Sequence, residues 1–159
     1  MLSEPALRPA TVGDVSDLAR LLLELGYDIP KAELGRRVAM LLAHSDHCLY
    51  VAIDADDEVL GAVQASLQFD LTQGAFVVIS ALVVTASARR SGAGRALVRG
   101  VELWAAQRGC FCMLVRTQLH REEAFKFYRE LGYVRTKQQN VLMREPGELR
   151  PHGPTTLTD

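Results

Sequence analysis

Between Ile79 and Arg95 an apolar run ends near Val84, a short loop carries Arg89 and Arg90, and Gly92-Ala93-Gly94-Arg95 follows. No other stretch constrains the fold as much, because it requires a buried strand feeding directly into a helix amino terminus. The first N–H groups of a helix lack intrahelical partners and carry partial positive charge, so that terminus accepts an anion. Glycine lets a phosphate approach the backbone without a Cβ in the way. Arg89, Arg90 and Arg95 add charge around the same spot, and the combination suits a pyrophosphate. It is not a P-loop, since no Gly-x-x-x-x-Gly-Lys-Ser/Thr run exists, and Leu97 stands where a dinucleotide fingerprint needs its third glycine. Read alone, Gly-x-Gly is more simply a plain strand-to-helix turn.

The flanking pattern alternates strands and helices. Ala6 to Pro9 is a short candidate strand, and Thr11 with Asp14 reads as a capping-box variant ahead of a helix bearing Leu18, Leu21, Leu22 and Leu25 on one face. Gly26 stops that helix; Pro30 opens a second, with Leu34, Val38, Leu41 and Leu42 on one side. Cys48 to Ile53 reads as a buried strand and Asp54 to Glu58 as its turn. From Val59 the chain alternates, with Val59, Gly61, Val63, Ala65, Leu67 and Phe69 on one face and Gln64, Ser66 and Gln68 on the other. That predicts a long, half-exposed antiparallel strand. After a turn at Thr72 to Gly74, Ala75 to Val84 is a more apolar and more central strand.

Gly92 to Arg108 predicts a helix packed through Ala93, Leu97, Val101 and Trp104, ended by Gly109; Phe111 to Val115 predicts a strand. Ala124, Phe127, Tyr128 and Leu131 stripe a last helix closed by Gly132, and Tyr133 onward and Val141 to Arg144 are expected to pair as terminal strands. The expected architecture is a three-layer α/β (α+β) domain: a mixed, mostly antiparallel central sheet with helices on both faces. Residues 1–145 form its single domain, and 146–159 a disordered tail.

A chain of 159 residues, 48% hydrophobic and 23% charged, has room for one ordinary core. With 18 Lys+Arg against 19 Asp+Glu it lacks the basic footprint of a nucleic-acid binder. No apolar run approaches the ~20 residues of a membrane span. Three cysteines, an odd number, argue against a disulfide framework and for a reducing, cytoplasmic setting. Cys110 and Cys112, two apart on a strand, should share one face as buried thiols. His44 and His47 have helical spacing but no third ligand, so no metal is expected.

Arg89-x-x-Gly92-x-Gly94 after an apolar strand, then Ala124-Phe-Lys-Phe-Tyr128-Arg-Glu-Leu-Gly132-Tyr133, resembles the GNAT superfamily of acetyl-CoA-dependent N-acetyltransferases. The order of elements fits from about Ala6 to Arg144. The resemblance implies an enzyme that moves an acetyl group from acetyl-CoA to a primary amine of a small molecule or peptide, by direct transfer in a ternary complex. It implies that Arg89, Arg90, Gly92, Ala93, Gly94 and Arg95 bind the coenzyme pyrophosphate. The main chain of Leu82, Val83 and Val84 would pair with the pantetheine arm in a sheet splayed by a β-bulge. Tyr128 would protonate the departing thiolate; a thiol near pKa 8.5 and a phenol near 10 are close to balance. On stripe position alone, Tyr128 merely packs. Members of this fold often dimerise, so a homodimer is compatible with the resemblance.

Two departures stand out. The family's strand carboxylate, a general base, is replaced by Ser80 and Ala81, neither of which can act as one. Glu24, Asp28 and Asp70 are the alternative carboxylates. Arg121 occupies the place of a coenzyme-contacting Asn and either reaches a phosphate or is a solvated helix-start residue. The missing strand acid also admits a rival, a non-catalytic acyl-CoA-binding sensor or partner-recognition module.

Overall fold

The computed structural model describes residues 4–144. In chain order its elements are β1 (Ala6–Pro9), α1 (Val15–Glu24), α2 (Lys31–Ala43), β2 (His47–Ile53), β3 (Val59–Asp70), β4 (Gly74–Val84), α3 (Ala93–Gln107), β5 (Met113–Val115) and α4 (Glu122–Glu130). The strands form one sheet in the order β1-β2-β3-β4-β5, antiparallel throughout except for the parallel pair β4 and β5. On one face, Leu18 and Leu21 of α1 and Leu34 and Val38 of α2 pack on Val51, Ala62 and Val83. On the other, Leu97, Val98, Val101 and Trp104 of α3 and Tyr128 of α4 pack on Val63, Ala65, Val77 and Ile79. This is the expected three-layer α/β architecture with a mixed, mostly antiparallel sheet.

The chain entering α1 is fixed by one carboxylate. Thr11 caps a single 3-10 turn, Val12–Asp14, its Oγ1 accepting from the Gly13 N–H at 3.2 Å, while the Thr11 N–H donates to Asp14 Oδ2 at 2.8 Å. Buried Asp14 also takes both Arg8 guanidinium nitrogens at 2.8 Å, tying β1 to the helix start. These bonds, that from Arg8 first, hold its pKa below the usual carboxylate value.

Several expectations need correction. The alternation along β3 does not leave a polar face in water: Ala62 and Ser66 are buried, because α1 and α2 cover the face opposite α3. Val59 joins Ala62 rather than Gly61, since a register shift opposes Ile53 to Val59 and Ala52 to Gly61, which makes Leu60 the extra residue. Pro30 stands one residue ahead of α2, and Leu42 on that helix is exposed. β5 starts only at Met113; Phe111 is exposed, and Cys112 is exposed while Cys110 is buried. The two thiols do not share a face, because the segment from Cys110 to Cys112 precedes the strand. His47 begins β2 and His44 follows α2, so they share no helix. Among the described residues, the segment 133–144, including Val141 to Arg144, forms no strand; Val134, Val141, Leu142 and Met143 are exposed. The tail expected over residues 146–159 lies outside the described residues.

Candidate active site

β5 pairs with β4 only at Val77, Val78 and Ile79. Beyond Ile79, β4 keeps β3 on one side and, among the described residues, has no strand on the other. At that point Gln64 faces Ala81 while Ala65 faces Ile79, so Ser80 is the extra residue of a bulge on β4. Bulges bend and twist a strand; past this one β4 runs on without β5, and the candidate cleft is the gap beside the main-chain edge of Ala81 to Val84, unpaired on that side among the described residues. Val83 is buried under α1 and α2, whereas Leu82 and Val84 pack toward α3. The side chains of Leu82, Val83 and Val84 therefore serve the two cores, and their main chain is what the cleft receives.

β3 must lie close to this edge. A Cβ built on Gly61 would stand 2.6 Å from the Val83 carbonyl oxygen and 3.2 Å from both Leu97 Cδ1 and Val84 Cγ2. Only glycine allows that approach.

β4 leads straight into the anion-binding candidate. The Thr85 N–H extends the pairing to Leu60 O at 2.8 Å, Ala86–Ala88 makes one 3-10 turn, and Arg89 is extended. Arg90 has φ of 64° and Gly92 of 89°, both left-handed. A non-glycine residue held there stores strain of a kind that clusters at binding loops. Ser91 N–H is used by Ala88 O and Ala93 N–H by Ser91 Oγ, and the first helical bond runs from Ala96 to Gly92. The N–H groups of Arg90, Gly92, Gly94 and Arg95 thus have no acceptor among the described residues. Successive free amides around left-handed residues make a concavity for anions. Arg89, Arg90 and Arg95 are exposed, and none is in an ion pair among the described residues. Ala93 turns its methyl group into the core and offers only backbone.

α4 closes the third side. A Cβ on Gly94 would meet Phe127 Cζ at 3.2 Å, so the missing side chain there admits the Phe127 ring as well as any ligand. Tyr128 is 6% exposed, its ring edge-on to Phe127 at 5.1 Å and to Tyr133 at 5.5 Å. Its hydroxyl makes no hydrogen bond among the described residues, and burial raises its pKa well above the ordinary phenol value. Tyr133, by contrast, donates to Glu102 Oε1 at 3.0 Å. Arg121 stands at the amino end of α4, exposed and unpaired among the described residues.

The alternative carboxylates separate clearly. Asp70, at the far end of the β3–β4 hairpin, accepts from the backbone and side chains of Thr72 and Gln73. It lies six strand residues beyond Gln64, roughly 20 Å from the bulge. Glu24, the last residue of α1, accepts from Thr85 Oγ1 at 2.7 Å and from the Ala86 N–H at 3.0 Å. Asp28, in the linker to α2, is exposed with no partner among the described residues. Neither the Glu24 bridge nor the Phe127–Gly94 contact had a local signal in the sequence. Ser80 is exposed on the bulge and brings no carboxylate. Among the described residues no helix is long and apolar enough to cross a membrane.

Residues 16–133 match the model of the acetyltransferase (GNAT) family. Aminoglycoside N(6')-acetyltransferase type 1 of Stenotrophomonas maltophilia is 28% identical over 152 residues, covering 92% of this chain and 96% of that protein. Among solved structures, a transcriptional regulator from Bacillus halodurans superposes with a TM-score of 0.79 at 24% identity, covering 89% of this chain and 99% of that one. AAC(6')-Iy, solved in complex with the bisubstrate analogue CoA-S-monomethyl-acetylneamine, gives a TM-score of 0.80 at 20% identity, covering 90% of this chain and 99% of that one.

Proposed function

This chain belongs to the acetyltransferase (GNAT) family and is an acyltransferase; from that premise we propose that it transfers the acetyl group of acetyl-CoA directly to a primary amine of a small molecule in a ternary complex. The observation that carries this reading is the juxtaposition of the free β4 edge, Ala81 to Val84, with the unpartnered amides of Arg90, Gly92, Gly94 and Arg95. Pantetheine carries two amides and a strand edge offers them matching donors and acceptors. The amide-lined loop, with Arg89, Arg90 and Arg95 around it, suits the pyrophosphate. Arg121, free at the head of α4, is assigned to the coenzyme phosphates.

The coenzyme supplies an activated acetyl thioester. The protein contributes position, main-chain N–H groups of β4 to polarise the thioester carbonyl, and a proton from Tyr128 Oη for the leaving sulfur. The raised Tyr128 pKa keeps Oη protonated at neutral pH and so able to donate to the leaving thiolate. It is the difference between the two groups that sets the balance. Cys48 is protonated at neutral pH, Cys110 is buried and Cys112 lies outside the cleft, which supports transfer without an acetyl-enzyme.

Freeing an alkylamine of pKa near 10.4 at pH 7 costs about 4–5 kcal/mol. Asp70 is too distant to take that proton, which leaves Glu24, Asp28, the substrate itself or water. The named activity of the Stenotrophomonas relative makes the 6'-amine of an aminoglycoside the first acceptor to test. Coenzyme release is followed with aminoglycosides, simple diamines and peptides, and acetylation of an amine is the expected result. Ser80 and Ala81, without a carboxylate, favour one rival, an acyl-CoA-binding module; coenzyme binding with no turnover on any amine would establish it. A cytoplasmic location belongs to the same reading.

A further inference from the structure

We infer that Glu24 is a positioning residue that holds the loop from Thr85 to Arg95 in its binding-ready shape. The inference rests on the assignment of that loop to the coenzyme pyrophosphate.

Glu24 ends α1, yet its carboxylate is bonded to residues 61 and 62 positions further along the chain. One oxygen takes the Thr85 hydroxyl and the other the Ala86 N–H, which is the first unpartnered donor of the 3-10 turn that leads to Arg89. Thr85 is also held from the sheet side, its N–H donating to Leu60 O at 2.8 Å. Arg20 holds the other side of the bridge, donating to Val59 O at 2.9 Å with its second nitrogen 4.0 Å from Glu24. Three contacts thus fix Thr85 and Ala86 where the free β4 edge stops and the amide-lined loop begins.

A negative charge at a helix carboxyl end works against the helix dipole. Glu24 therefore does not serve α1, and its two acceptor bonds assign it to the loop. Without them Ala86 loses its only acceptor, and the turn before the left-handed Arg90 is free to shift. Each carboxylate oxygen keeps a second lone pair, so these bonds leave the base role to be separated from the positioning role by the pH profile below.

The test compares Glu24→Ala, Thr85→Val and the double variant by calorimetric titration with free CoA, alongside steady-state kinetics on an amine that turns over. Charge-assisted bonds at a part-exposed site predict about a tenfold weaker CoA affinity for Glu24→Ala and about threefold for Thr85→Val. The double variant should be no weaker than Glu24→Ala, because both changes break one bridge. The KM for acetyl-CoA should rise while kcat and the melting temperature stay near those of the unaltered protein. Unchanged CoA affinity in Glu24→Ala overturns the inference. So does a large fall in kcat with loss of the acidic limb of the pH profile, which would make Glu24 the base. If Glu24→Ala does not fold, Glu24→Gln and Thr85→Val decide by the same readings. An unaltered protein that binds no CoA removes the coenzyme assignment itself, a result distinct from a variant that binds as well as its parent.

Discussion

Replacing Gly61 by Ala tests the packing that sets the open edge of β4. The added methyl carbon would stand 2.6 Å from the Val83 carbonyl oxygen, where real contacts of this kind begin at 3.0 Å, so backbone must move by about 0.4 Å. Leu97 Cδ1 and Val84 Cγ2, both at 3.2 Å, leave little slack on the other side. Overpacking a tight interior costs about 1–3 kcal/mol, and Ala recovers about 0.5–1 kcal/mol over Gly in a strand. The net loss is about 1–2 kcal/mol, roughly 2–8 °C in Tm for a domain of this size. Gly35→Ala in α2 is the control: its Cβ would meet nothing nearer than Val15 Cγ2 at 4.0 Å, and helix propensity predicts a gain of about 0.5–1 kcal/mol. Urea unfolding of both variants measures the two signs. Because Val83 and Val84 border the cleft, Gly61→Ala should also weaken CoA binding, while Gly35→Ala should not. A Gly61→Ala protein as stable as its parent would refute the close approach of β3 to β4.

Tyr128→Phe should lower kcat by about two orders of magnitude and leave CoA affinity nearly intact, since the hydroxyl makes no other bond among the described residues and the ring still packs; equal rates would remove its role as acid. Asp14→Ala removes the acceptor of the Thr11 N–H and the partner of Arg8, and should cost about 2 kcal/mol in chemical denaturation. Because Arg8 lowers the native pKa of Asp14, the stabilisation is complete above the unfolded value near 3.9 and disappears as pH falls through the native value. The parent should therefore lose more stability than Asp14→Ala on acidification below about pH 4.

Much of the fold was legible because it is written in local periodicity. The stripe Leu97, Val98, Val101 and Trp104 packs as α3, and Gly92 takes the left-handed turn that admits the helix. The loop from Arg89 to Arg95 was legible through its order after an apolar strand. What escaped were features decided between distant segments. Ser80 bulges out of β4 although nothing around it breaks the apolar run, since both faces of that strand are covered and alternation carries no information there. Leu60 does the same in β3 and carries Val59 to the other face. The bond from Glu24 to Thr85 spans 61 residues and has no local pattern. Val141 to Arg144 had the composition of a strand but takes no strand conformation, so composition alone does not make a strand.

The central claim is that the amides between Arg90 and Arg95 hold a pyrophosphate next to a strand edge that holds pantetheine. Calorimetric titration of the purified protein with CoA, and separately with 4'-phosphopantetheine, which lacks the diphosphate linkage, tests it most directly. CoA should bind clearly and the truncated compound far more weakly; no heat with CoA, or equal affinity for both, would contradict the account.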